Sequence, residues 1–190
     1  AHLAQQHPDL HVSVIEGQYD ALVQALRCGD VDVMVGALHP AAPSDLRQEA
    51  IFSDSLSVVA RRDHPLVRRT GLTLDDLHGV DWVVPYRRTP TRNVFEQAMN
   101  AAGIDMSDGA IEASSLAMVR GVLRSSDRLS VLSRRQCLYE HRQGLLSMLD
   151  IDLRGGTLDI GVTTRADAMR PASLDALIAH LRDEAMATAS

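Results

Sequence analysis

Two short stretches of the 190-residue chain combine helix-capping hydroxyls with donors suited to an anion. Thr89-Pro90-Thr91-Arg92 offers a cap, a proline pre-set for the first helical position and a cation. Free backbone N–H groups at such a helix start, together with Arg92, can hold a carboxylate or similar anion. Ser114-Ser115 repeats the arrangement without the cation. From spacing alone, plain capping of two helices is the simpler reading, and it stays open beside the anion reading. Gly36-Ala37-Leu38 follows an apolar run, and ligands of open α/β sheets bind beyond the carboxyl ends of strands. Small residues there leave room for a ligand, although they are also ordinary turn residues.

Other chemistry is poorly represented. The chain has no G-x-G-x-x-G, no G-x-S-x-G and no H-E-x-x-H, so no catalytic template, cofactor or metal site is expected and the chain reads as no enzyme. His7 and His11 fall four apart, but Pro8 and a strand expected from Leu10 keep them off a common helical face, so the eight histidines read as scattered surface residues. Asp30 and Asp32 bracket a helix-to-strand turn, where aspartate fits by local hydrogen bonding. Arg61-Arg62, Arg68-Arg69 and Arg87-Arg88 are short pairs without interleaved aromatics and read as solvated surface charge.

Composition narrows the partners. There are 25 acidic residues against 19 cations, every cation is an arginine, and the net charge is −6. The absence of lysine removes Schiff-base chemistry and the lysine-dependent phosphate loop. An acidic chain makes a poor nucleic-acid platform, because phosphate binding needs clustered positive charge. Cys28 and Cys137 lie far apart and fit no metal-ligand spacing, which implies free thiols in a reducing compartment. No apolar run is long enough to span a membrane, so a cytoplasmic protein is expected; the chain starts without methionine and reads as a fragment.

The elements that must position these residues alternate between strand and helix. Leu10 to Glu16 reads as a half-buried strand, Gln18 to Cys28 as a helix stopped by Gly29, and Val31 to Val35 as a strand covered on both faces. Two extended pieces are expected at Arg47 to Phe52 and Leu56 to Arg61, then a capped turn at Thr73 to Leu77, a strand at Asp81 to Val84, and a helix ending near Ala102. There follow a strand at Ala110 to Ala113, a helix capped by Ser114, a strand at Leu129 to Leu132, a helix from Arg134 to Arg142, an extended stretch from Leu145 to Ile151, a strand carrying Leu158, Ile160 and Val162, and a final helix capped by Ser173. Such alternation predicts an α/β protein with parallel sheets. Two lobes are expected: 1–55 plus 166–190, and 72–155, joined by crossing segments at 56–71 and 156–165 with a cleft between them.

At this point four pieces fall in a recognisable order. They are His7-Pro8-Asp9-Leu10 with Glu16-Gly17; Leu26-Arg27-Cys28-Gly29-Asp30-Val31-Asp32-Val33; His64-Pro65-Leu66; and Phe95 in the helix that follows Arg92. Together the chain resembles the effector-binding domain of LysR-type transcriptional regulators over essentially its whole length. It departs from the common pattern at Ser125 to Ser133, where many members carry a glycine-rich turn and a strand ending in Leu-Pro; this stretch looks like the branch of sugar-uptake and aromatic-catabolism regulators.

The resemblance implies two Rossmann-like lobes of the type II periplasmic-binding-protein kind with a central cleft. It implies a small-molecule effector, whether an organic acid, an aromatic or a sugar-derived compound. Carried over by position, effector contacts fall on Ala37, Leu38, Thr89, Thr91, Arg92, Ser114, Ser115 and Ser133. It also implies a homodimer or tetramer, in which the Gln18 to Cys28 helix meets the partner's second lobe, and a winged helix-turn-helix, outside these residues, through which alone promoter DNA is bound. The alternative is a solute-binding protein of a transporter with the same two-lobed fold.

Overall fold

The computed structural model describes residues 10–104, 110–153 and 155–187. His7-Pro8-Asp9 lie outside them. The described elements are α1 (Tyr19–Cys28), β1 (Met34–Ala37), β2 (Leu46–Arg61), β3 (Trp82–Pro85), α2 (Pro90–Ala101), β4 (Ile111–Ala113), α3 (Leu116–Ser125), β5 (Leu129–Ser133), α4 (Arg134–Arg142), β6 (Leu146–Met148), β7 (Thr157–Arg165) and α5 (Ala172–Ala187). They form two compact α/β units, Ala1–Ser53 with Asp159–Ser190, and Asp54–Leu158. Strands β2 and β7 both run from one unit into the other.

In the first unit, β1 pairs antiparallel with β7, with Val35 opposite Val162. The helix α1 buries Val23 and Leu26 against Met34 and Leu46, while Leu174 and Ile178 of α5 pack on Val162. Gly29, at φ 83°, ends α1 in the left-handed conformation that glycine adopts without penalty. Arg165 finishes that end by donating to the carbonyls of Leu26 (2.6 Å) and Val31 (3.2 Å), a cation placed at the negative pole of the helix. Gly161 is required for space: a Cβ there would lie 2.1 Å from the Glu49 carbonyl oxygen of β2.

In the second unit, β3 is flanked by β4 and β5, both parallel to it, while β2 runs antiparallel to β5 and β6. The core gathers Val59, Val83, Leu123, Leu132, Cys137 and Leu146, and the rings of Trp82 and Phe95 meet at 4.9 Å. Burial pushes the Cys137 thiol up to about 11, and Cys28 is exposed.

Several expectations are corrected. Leu10 to Glu16 forms no strand; Val12, Val14 and Ile15 are exposed and nothing among the described residues pairs with the segment. Alternation alone does not make a strand without an edge to join. The strand expected at Val31 to Val35 begins instead at Met34, and it is an edge strand with Val35 exposed rather than one covered on both faces. The two pieces at Arg47 to Phe52 and Leu56 to Arg61 are one continuous strand, because the polar residues between them do not interrupt backbone pairing. Of Leu145 to Ile151, Leu146–Met148 forms the strand on β2, and Leu149 N adds one bond to the Val58 carbonyl (2.8 Å). Ser115 rather than Ser114 caps α3, since it is the Ser115 hydroxyl that reaches the Met118 N–H. Ser173 lies within α5 rather than ahead of it.

Candidate functional site

Three helices of the second unit begin where three parallel strands end. The chain runs from β3 to β4 on one side and returns to β5 on the other, so the strand order switches direction at β3. In open α/β sheets, the carboxyl ends of strands at such a switch are where ligands bind.

At the end of β3, Thr89 caps α2: its hydroxyl accepts from the Arg92 N–H (3.2 Å) and donates to the Tyr86 carbonyl (2.8 Å). Arg88, in the loop between, holds φ 63°, the only non-glycine residue in that region among those described. Thr91 is half-buried in the first turn. Arg92 is only 5% exposed, and its guanidinium is already engaged, with Nε donating to Glu96 (2.6 Å) and Nη1 to the Pro85 carbonyl (3.1 Å).

At the end of β4, Ser114 and Ser115 are exposed, and the Ser115 hydroxyl accepts from the Met118 N–H (3.4 Å). Glu112, one residue from the end of β4, clasps the preceding loop by accepting from Arg87 N (2.7 Å) and Nε (3.2 Å). The backbone hydrogen bond from Arg87 is the main reason that its carboxyl is held below the usual range.

At the end of β5, Ser133 forms a reciprocal capping box with Gln136 at the start of α4. Its hydroxyl also donates to the carboxylate of Asp54, which receives the Arg135 N–H at 3.4 Å as well. None of the three helices carries an acidic residue of its own in the first turn.

Ala37 and Leu38 belong to the first unit, where Ala37 ends β1 and Leu38 N donates to the Asp159 carbonyl (2.8 Å). Next to them His39 stacks on Tyr19 with ring centroids 5.0 Å apart, and its Nδ1 accepts from Ala41 N (3.2 Å). The Tyr19 hydroxyl is buried without a hydrogen-bond partner.

Thr89, Thr91, Arg92, Ser114, Ser115 and Ser133 therefore share one edge of the second unit's sheet. Sequence reasoning missed Asp54 and Glu112, which tie that edge together; neither sits in a local motif. Its nearest clue to His39 was adjacency to Leu38. A shallow pocket lined by His64, Gly79, Val80, Asp81, Ser126, Asp127 and Arg128 lies by the opposite ends of β3 and β5 and carries the ion pairs Arg61–Asp127 (2.6 Å) and Arg128–Asp81 (3.3 Å). Among the described residues, no three His, Cys, Asp or Glu side chains gather to hold a metal, and no helix is long and apolar enough to cross a membrane.

Two α/β units joined by two shared strands, with helices starting from the ends of parallel strands, define the class of two-lobed α/β binding domains. Within that class the chain belongs to the LysR substrate-binding domain family, whose sequence profile matches residues 1–186. It is 37% identical over 178 residues to the HTH-type transcriptional regulator GalR of Pseudomonas putida, covering 93% of this chain and 45% of GalR. It is 30% identical over 177 residues to the HTH-type transcriptional regulator PcaQ of Agrobacterium fabrum, covering 92% of this chain and 56% of PcaQ. The chain thus spans about half the length of these relatives. In fold it is similar to the regulatory domain of Synechocystis CcmR in complex with 2-PG, at TM-score 0.81 and 20% identity, covering 96% of this chain and 87% of that one. It is also similar to the effector-binding domain of QuiR in complex with shikimate, at TM-score 0.77 and 14% identity, covering 92% and 82%.

Proposed function

We propose that this chain is the effector-sensing and dimerising part of a LysR-type transcriptional regulator, working in the cytoplasm as a homodimer or tetramer and reaching promoter DNA through a helix-turn-helix elsewhere in the protein. The observation that carries the sensing role is the set of three helix starts at the strand-order switch around β3. Backbone N–H groups at such ends favour anionic or polar ligands without catalytic machinery. The effector class is a small organic acid, aromatic or sugar-derived compound. Its proposed contacts are Thr89, Thr91, Arg92, Ser114, Ser115 and Ser133 in one unit and Ala37 and Leu38 in the other.

Binding shifts the population of arrangements of the protein, and that shift alters DNA binding; an effector acts only as far as it prefers one arrangement. The relatives named as transcriptional regulators favour this reading over a transporter's solute-binding protein. Thermal-shift screening with small carboxylates, hydroxylated aromatics and sugars tests it. A true effector at 100 times its dissociation constant adds about 2.7 kcal/mol. A screen in which no compound of these classes stabilises the chain counts against sensing of this kind.

A further inference from the structure

We infer that Asp54 is a specificity-determining residue of the proposed effector site: its carboxylate occupies the start of α4 as an internal anion, which directs a ligand's carboxylate or phosphate to the α2 and α3 ends and leaves α4 to neutral or hydrogen-donating groups. The inference rests on the sensing role proposed above.

Asp54 is 6% exposed and Ser133 8%, so the pair is withdrawn from water. One carboxylate oxygen accepts from both the Ser133 hydroxyl and the Arg135 N–H. It therefore stands where an incoming anion would stand, on the first free donors of a nine-residue helix. The first turn of α4 contains Arg134 and Arg135, so its fixed charges alone would make it the most attractive of the three ends for an anion. Asp54 reverses that ranking, because a second anion would meet a like charge at short range in a poorly solvated place. Among the described residues, the starts of α2 and α3 have no such occupant: their caps are the neutral hydroxyls of Thr89 and Ser115. The nearby carboxylate of Glu112 is held on Arg87 and that of Glu96 on Arg92.

Inorganic phosphate titrated into the ¹⁵N-labelled chain, with amide shifts followed by NMR, tests the ranking without an effector. In the wild type, the Leu116 and Ala117 amides move and those of Arg134, Arg135 and Gln136 do not. In Asp54→Asn the α4 amides titrate as well, with phosphate bound there at least about tenfold more tightly than in the wild type. Ser133→Ala, which keeps the carboxylate, gains nothing. Should Asp54→Asn fail to fold, Asp54→Ser, which keeps a hydrogen-bond partner for Ser133, is read in the same way. Phosphate on the α4 amides of the wild type, silent Leu116 and Ala117 amides, or no gain in either Asp54 variant would overturn the inference. Each of these leaves the sensing role intact, since that is judged by the effector screen.

Discussion

The His64 ring joins the end of β2 to the turn before β5 by donating from Nε2 to the carbonyl of Asp127 at 3.1 Å. Its other nitrogen, Nδ1, accepts from Leu66 N (3.2 Å), which fixes the tautomer and leaves the hydrogen on Nε2. His64 is 5% exposed, so the bond from Leu66 N is made away from water, while that to Asp127, an exposed residue, is partly shielded. His64→Ala is expected to cost about 1 to 2 kcal/mol, since it orphans the buried Leu66 N–H and leaves the Asp127 carbonyl to water. Urea denaturation measures this, and a loss within about 0.5 kcal/mol would show the ring to be a bystander.

Gly161→Ala tests a different kind of constraint. The added methyl would lie 2.1 Å from the Glu49 carbonyl oxygen, and backbone cannot swing aside as a side chain can. A loss of about 3 kcal/mol or more, or failure to accumulate as folded protein, is expected from forcing two strands apart. The far-ultraviolet spectrum and melting temperature of the purified variant give the answer.

Acidification acts on Glu49. Hydrogen bonding to Arg170 is the main cause that holds its carboxyl below the ordinary value of 4.5, and Arg182 adds to it. A group with a lowered folded-state value contributes its stability in full above 4.5 and loses it as pH falls through the lower folded value. Stability measured from pH 3 to 7 should therefore be level at the upper end and fall at the lower. Glu49→Gln should be less stable at pH 7 and show a shallower fall.

Arg92 is expected to serve fold and ligand at once. Arg92→Ala removes a buried cation from Glu96 and from the Pro85 carbonyl, at a cost of about 2 kcal/mol. If its charge also faces an acidic effector, the dissociation constant of the carboxylate found by thermal shift should rise about tenfold, the scale of one charge-assisted hydrogen bond. An unchanged constant in the folded variant would remove Arg92 from the effector contacts.

What the sequence made legible was local. The cap at Thr89 follows from residues a few positions apart, and the stop at Gly29 follows from glycine alone. The Ser115 cap was missed by one residue because two serines in a row offer the same hydroxyl. Partnerships across the fold were not legible: Asp54 and Ser133 are 79 positions apart, and nothing near either marks the other. Arg92 was read as an open cation because its commitments to Glu96 and Pro85 depend on a rotamer, which a spacing pattern does not contain. The segment from Leu10 to Glu16 carries a strand's alternation without a described partner, and strand formation depends on the neighbour as much as on the pattern.

The position of β1 bears on handling the protein at high concentration. Among the described residues it closes the strand path, pairing with β7 on one side and presenting its other row of backbone donors and acceptors, with Val35 half out in water. Such a rim is a template on which a stray chain can crystallise into sheet, and lysine is the residue most used to repel it. This chain has none. Repulsion is left to brevity, since four residues offer too few rungs for a stable foreign ladder.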